Sequence, residues 1–199
     1  MNQLKISTRL AVAFAVMVLL LIALVAVSLV RSAHQRAELK DVVDVRIPII
    51  KALGALNDGV DEQAIQLRNL AIFTSEAIVK SATSQIAAAS ADVDVQYTTL
   101  NTLVSSEKGK ELMARMQQRG GDFLKLRDQY LTTLQQGQRD EALKLLEEQL
   151  RPAQRAYMAA IDEQFEYQFK TTVDAGALAT FDSSALAVLL ECRREAIQR

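Results

Sequence analysis

The chain has 199 residues, with 23 basic against 24 acidic side chains and a net charge of −1. That near-balance offers no basic face, so no nucleic acid partner is expected. A single Cys, Cys192, excludes an internal disulfide and a cysteine-based zinc site, and a single His, His34, excludes a His-based metal centre or catalytic triad. Seven Gly and two Pro are few for this length, while Ala, Leu, Gln and Glu are plentiful, as helices require.

An uncharged apolar run extends from Leu10 to Val30 between Arg9 and Arg31, with only Ser28 polar in it. A helix needs roughly 20 apolar residues to cross a bilayer core of about 30 Å. A cleaved signal peptide would have a shorter apolar stretch and a small-residue cleavage site, and the surroundings of Ala26 and Ser28 are a poor one. A buried core helix is less expected than a span, because the run is apolar on all faces. The run is therefore expected to be an uncleaved transmembrane helix over residues 10–30. Lys5 and Arg9 favour a cytoplasmic tail over residues 1–9, because the short tail decides when a long domain follows. Residues 31–184 then form one periplasmic domain of about 150 residues, an ordinary domain size.

After the span the pattern is helical throughout. Ile49, Leu53, Leu56, Val60, Ala64, Leu67, Leu70 and Ala71 step by three or four residues, one stripe of a long amphipathic helix. Pro48 is expected to bend its first part. Thr74-Ser75-Glu76 marks its end, and Ser81 with Ser84 is read as the next cap. A second stripe uses Ile86, Ala89, Val93, Tyr97, Leu100 and Val104, and Ser106 to Lys110 reads as a turn and a new helix start. The third stripe is Leu112, Met116, Phe123, Tyr130 and Leu134. Gly120-Gly121 sits inside it as a soft spot or a close packing contact, since each Gly costs a helix about 1 kcal/mol relative to Ala. Gln136-Gly137-Gln138 is the clearest turn. The fourth stripe takes Ala142, Leu146, Leu150, Ala153, Tyr157, Ile161, Phe165 and Thr172, with a kink or short break expected at Pro152.

Four stripes joined by short turns imply an all-α fold: an N-terminal transmembrane helix followed by an up-down-up-down four-helix bundle. Nothing alternates with period two over a useful length. Residues 185–199 are atypical for such an arrangement. Ala185 to Leu190 is apolar but short, and Glu191, Arg193, Arg194 and Glu195 are too costly for a hydrocarbon core. No second span is read here, so the chain reads as truncated or altered before one.

Several segments resemble bacterial methyl-accepting chemotaxis receptors. They are Leu4-Lys5-Ile6-Ser7-Thr8-Arg9-Leu10, Leu67-Arg68-Asn69-Leu70-Ala71-Ile72-Phe73, and Asp140-Glu141-Ala142 through Leu150-Arg151-Pro152-Ala153-Gln154. Ala160-Ile161-Asp162 and Tyr167-Gln168 add to them. The resemblance covers about residues 1–185, and it rests on the order and spacing of the segments. It implies a periplasmic bundle that forms a homodimer at the inner membrane. It also implies that the bundle binds a small ligand or a ligand-loaded periplasmic binding protein, and that it signals by helix displacement. The family's second span, HAMP module and signalling hairpin do not follow, so this chain alone could not couple to a downstream kinase. The same module also precedes histidine kinases and cyclic-dinucleotide enzymes, which keeps the output open.

Ligands of the family are often amino acids or organic acids, and a carboxylate is best held by the two-pronged guanidinium of Arg. Arg68, in the resembling segment, is the first candidate. Arg115, Arg119 and Arg127 follow, with Tyr130 one turn from Arg127, and then Arg155 and Tyr157. Each Arg has a plain alternative as a solvated surface group or an i,i+4 ion-pair partner, and the tyrosines as core edges. No catalytic group is expected. Glu147-Glu148 and Asp162-Glu163 are helix neighbours that point apart, and no Glu-x-x-His pairs exist for a carboxylate-bridged metal site. No Gly-rich phosphate loop follows a strand. Neither cofactor nor metal is implied. The competing reading is a membrane-anchored helical interaction module with no small ligand.

Overall fold

The computed structural model describes residues 6–174, with side chains over 14–29 and 40–172. The chain divides into two units, Met1–Val42 and Val43–Arg199. In the first, helix α1 runs Ile6–Asp41. Every described side chain from Phe14 to Leu29 is exposed, so this stretch has no buried stripe of the kind an amphipathic helix carries. Among the described residues no helix is long and apolar enough to cross a membrane. In α1 the described side chains of the apolar run stop at Phe14 and Leu29, and those of residues 10–13 and 30 lie outside them. Residues 1–5 of the expected tail, the Ala185–Leu190 segment, the charges after it and Cys192 also lie outside the described residues, as does the side chain of His34.

A π-helical turn, Val42–Arg46, leads into α2 (Ile47–Ile72), α3 (Glu76–Leu103) and α4 (Glu107–Gln135). Then come α5 (Arg139–Leu145), a second π-helical turn (Leu146–Leu150) and α6 (Arg151–Asp174). Since α5, that turn and α6 follow without a break, the second unit is built from four rods in up-down-up-down order. Among the described residues there is no strand. The apolar stripes are what the rods bury. All eight residues of the first stripe are buried, from Leu53, Leu56 and Val60 at 0% to Ala71 at 9% exposure. Met116, Phe123, Tyr130, Leu150 and Ile161 come from the other rods into the same core. Each fully buried Leu or Ile contributes roughly 1.5–3 kcal/mol, which is why so regular a stripe suffices to order the bundle.

Chain turns are fixed by local polar chemistry. Ser75 caps α3, its Oγ accepting from the Ile78 N–H at 3.4 Å, so the cap is Ser75 and not Ser81 or Ser84, which lie inside α3. The reason is positional: α2 already ends at Ile72, and Ser75 is the residue in extended backbone just before the first helical turn. Ser106 caps α4 in the same way through the Gly109 N–H at 3.2 Å. Gly137 turns the chain with a φ of 77°, the left-handed region that Gly enters without a steric penalty. Arg139 donates to the carbonyl of Ala71, placing a cation against the unsatisfied carbonyl end of α2.

Both described prolines are accommodated by the same device. The π-helical turn Val42–Arg46 precedes Pro48, and Leu146–Leu150 precedes Pro152. A proline ring clashes with the carbonyl four residues before it and offers no N–H. One wider turn upstream moves that carbonyl away and lets the helix continue. The expected bend and break are therefore both π-helical turns.

Packing is pairwise. α2 lies mainly against α3, α4 against α6, and the pairs join through α2 and α6. A Cβ on Gly59 would sit 2.8 Å from Val93 Cγ2 and 3.4 Å from the Ala89 carbonyl oxygen, so the α2–α3 approach requires Gly at that position. The α4–α6 pair is antiparallel, as Arg115 to Glu163 and Gly120 beside Tyr157 show. Gln164 on α6 is 0% exposed, and neither end of its amide has a protein hydrogen-bond partner. An unsatisfied buried amide costs about 1–3 kcal/mol. Replacing it with an apolar side chain of similar size, Gln164→Leu, is expected to recover about that much. For a domain of this size, 1 kcal/mol raises the melting temperature by about 2–4 °C. A thermal melt followed by circular dichroism reads the difference. A lower melting temperature for the variant would mean that the amide is satisfied and stabilising.

Candidate functional site

Arg68 projects from the exposed side of α2. Among the described residues its one hydrogen bond is a long one, Nη2 to Gln154 Oε1 at 3.4 Å. The amide nitrogen of Gln154 donates in turn to Asp61 Oδ1 at 3.1 Å. Burial pushes the Asp61 carboxyl up from its usual range, against the pull of Arg68 and of the Gln154 hydrogen bond. Arg68 thus faces one amide oxygen and, through it, a carboxylate whose charged form is disfavoured. Among the described residues, most of its five donors have no acceptor. Beside it opens a narrow cleft of only about 10 Å3 between α2, α4 and the fourth rod, whose lining includes Arg68, Arg151, Gln154, Leu146 and Leu150. Leu146 and Leu150 belong to the second π-helical turn, so the wide turn that admits Pro152 also shapes this wall and sets Arg151 at its edge.

The other arginines are placed differently. Arg115 is held by Glu163, with Nη1 at 2.9 and 2.7 Å from the two carboxylate oxygens, and by Glu111 at 3.3 Å. Arg127 is 15% exposed. It donates to Gln63 Oε1 at 2.8 Å, Ser90 Oγ at 2.7 Å and Asp128 Oδ1 at 2.8 and 2.9 Å, so it ties α4 to both α2 and α3. Arg119 reaches Asp122 at 3.9 Å, and Arg155 is exposed on α6. Tyr130 is 0% exposed and donates to the Leu67 carbonyl at 2.9 Å. Of these candidates, the structure brings Arg68 alone to the cleft.

Tyr157 borders a second opening. Its hydroxyl lies 2.8 Å from that of Tyr97, and its ring packs against Phe123 with centroids 6.1 Å apart. A Cβ on Gly120 would come within 3.0 Å of the Tyr157 ring, whereas one on Gly121 would meet nothing within 4 Å. Gly120 is the close packing contact and Gly121 leaves space. A solvent-open cavity of about 160 Å3 lies here, with Tyr97, Tyr157, Asp94, Gln63 and Gly121 among its lining.

Sequence reasoning did not single out Arg151 or Asp94 as site residues. Arg151 had a signal, since it directly precedes Pro152. What brings it to Arg68 is the antiparallel register of α2 and α6, which periodicity within one helix does not carry. Among the described residues no group of three or more His, Cys, Asp or Glu side chains converges as a metal site would require.

Burial pushes the Tyr97 hydroxyl up to about 12, its hydrogen bond to Tyr157 opposing and Asp94 adding to the shift. Burial, aided by Tyr97, also raises Tyr157. Tyr130 is pushed up to about 12 by burial. The unfolded chain releases these protons near the ordinary phenol value of 10.0, while the folded chain keeps them. Above that pH the unfolded state binds fewer protons, so stability is complete below it and falls as pH rises toward the folded values. Alkaline melts are expected to show this loss, with a shallower slope in the Tyr97→Phe/Tyr157→Phe double variant. An equal slope in the two proteins would place the alkaline sensitivity elsewhere.

Residues 3–179 match the family described as the four helix bundle sensory module for signal transduction. Comparison with curated proteins gives no match. The family match spans most of the chain and agrees with the four antiparallel rods, so the chain belongs to the four-helix-bundle sensory modules of signal transduction.

Proposed function

We propose that the chain is the sensory part of a transmembrane chemoreceptor that binds an amino acid or organic acid at the Arg68–Arg151 cleft. The observation that carries the reading is Arg68 itself, a guanidinium with donors to spare beside Arg151 and an apolar cleft. Two guanidiniums hold a carboxylate by paired, charge-assisted hydrogen bonds. Because the cleft is narrow, the carboxylate seats at its mouth. Arg68 belongs to α2 and Arg151 to α6, so one bound carboxylate bridges two helices and favours one register of α6 over another. A ligand shifts a conformational equilibrium only through such a difference in affinity.

The membrane anchor is the apolar run from Leu10 to Val30, supported by the exposure of every described side chain from Phe14 to Leu29. On the charge argument from Lys5 and Arg9 the bundle is periplasmic, at the inner membrane. A second reading has its own support. Ile65 is 45%, Ile72 67% and Phe73 44% exposed at one end of α2, an apolar surface suited to a second copy of the chain or to a binding protein.

The test is calorimetric titration of the full chain in lipid nanodiscs with aspartate, malate, succinate and citrate, alongside Arg68→Ala and Arg151→Ala. At least one of these compounds is expected to bind and to stabilise the fold, by roughly 2.7 kcal/mol at a hundredfold excess over its dissociation constant. Each variant is expected to weaken binding by about tenfold or more. Binding that both variants leave intact removes the cleft from the reading. A folded sample that binds none of the four favours the protein-partner alternative.

A further inference from the structure

The cavity beside Tyr97 and Tyr157 has a chemistry opposite to that of the arginine cleft. Asp94 is the one charged side chain in its lining, and it is exposed at the rim. Three aromatic rings contribute to the wall, Tyr97, Phe123 and Tyr157, with Val93 and Leu124 adding apolar surface. The guanidinium of Arg127, bound to the lining residue Gln63, is not in the lining itself and is committed to Gln63, Ser90 and Asp128. Its bond to Gln63 Oε1 also fixes the orientation of that amide. The two tyrosine hydroxyls are joined to each other, and burial keeps both neutral. An anionic ligand would therefore meet a carboxylate and no cation, while a cation would meet a carboxylate and aromatic rings.

The space is small and open to solvent. Its volume of about 160 Å3 lies below the usual range for small-molecule pockets, roughly 300–1,000 Å3, so an occupant is small and stays partly in solvent. The space lies on the side where α3 faces α4, and Gly121 holds it open. A Cβ at that position would meet nothing within 4 Å, so the helix accepts a residue larger than Gly there.

We propose that this cavity is a binding site for a small organic ammonium ion with a flat apolar body, its charge placed at Asp94 and its body against the rings of Tyr97, Phe123 and Tyr157. Aromatic rings attract a cation through the negative potential of their faces, and the carboxylate at the rim fixes which end of the ligand faces out. The lining draws on α2, α3, α4 and α6, so an occupant touches every rod of the bundle.

The experiment is calorimetric titration of the full chain in nanodiscs with phenethylammonium and tetramethylammonium, and with benzoate and benzyl alcohol as charge controls. Phenethylammonium is expected to bind most tightly of the four, and benzoate is expected to give no heat. Asp94→Asn is expected to weaken phenethylammonium by about tenfold. Gly121→Leu is expected to abolish its binding by filling the cavity. That variant keeps the fold, since the position is open and Leu is a better helix former than Gly, and circular dichroism confirms this in the same samples. The proposal is overturned if neither ammonium probe binds the parent chain, if Gly121→Leu still binds, or if benzyl alcohol or benzoate binds as tightly as phenethylammonium. The carboxylate cleft is read with probes of the opposite charge, so a failure at either site leaves the other result standing.

Discussion

The bundle is organised by how closely its helices approach in pairs. Gly59 has no room for a Cβ against Val93, so α2 and α3 approach more closely than two ordinary side-chain surfaces would allow. Gly120 plays the corresponding part between α4 and α6, where the Tyr157 ring covers it at 3.0 Å from where a Cβ would stand. Two tight pairs joined through α2 and α6 leave the remaining seam, between α3 and α4, to be filled by side chains. Where Gly121 supplies none, the seam stays open as the larger cavity. Arg127 crosses the same seam, joining α4 to Ser90 on α3 and to Gln63 on α2. Core density and the cavity thus have one origin, the placement of small residues on particular helix faces.

The arginine cleft has a different origin. It depends on the second π-helical turn, which supplies Leu146 and Leu150 to its wall. That turn exists because Pro152 cannot be followed upstream by ordinary helical geometry. A residue that looks like a defect in an amphipathic stripe is therefore what widens the backbone beside Arg68. Pro48 has the same upstream turn at the head of α2. A wide turn alone does not make a site. The one at Leu146–Leu150 lines a candidate cleft to which a neighbouring helix presents the guanidinium of Arg68.

Most of the fold was legible because the physics that folds it is periodic. Ile49 through Ala71 mark one face every three or four residues, and all of them are buried. The helix ends were legible where a single residue type decides them, as at Gly137 and Ser106, and misplaced where several candidates competed, as at Ser75 against Ser81 and Ser84. The π-helical turns were signalled by the prolines only as irregularities, because a sequence shows the missing N–H but not which turn absorbs it. The candidate cleft was legible only at Arg68, which its segment singled out and which lines it. Arg151, Asp94 and the separate roles of Gly120 and Gly121 depend on register between helices. A stripe fixes which face is inward but not which residue of the neighbouring rod lies opposite.

A sensory module must also be able to change state, and the inward face of α6 carries an amide that the described packing leaves unpaired. Gln164 is fully buried with neither amide end paired, although a leucine of similar size would satisfy the packing. Gln154 and Gln168 are buried on the same helix, so its inward face alternates apolar residues with amides. Apolar contacts resist movement because they are tightly interdigitated, whereas an unpaired amide raises the energy of the position it occupies. Any register of α6 that brought Gln164 to a partner would recover that energy and offset part of the packing lost in moving. A seam of this composition narrows the gap between two arrangements of one helix. A small gap is what lets a ligand of modest differential affinity select between them.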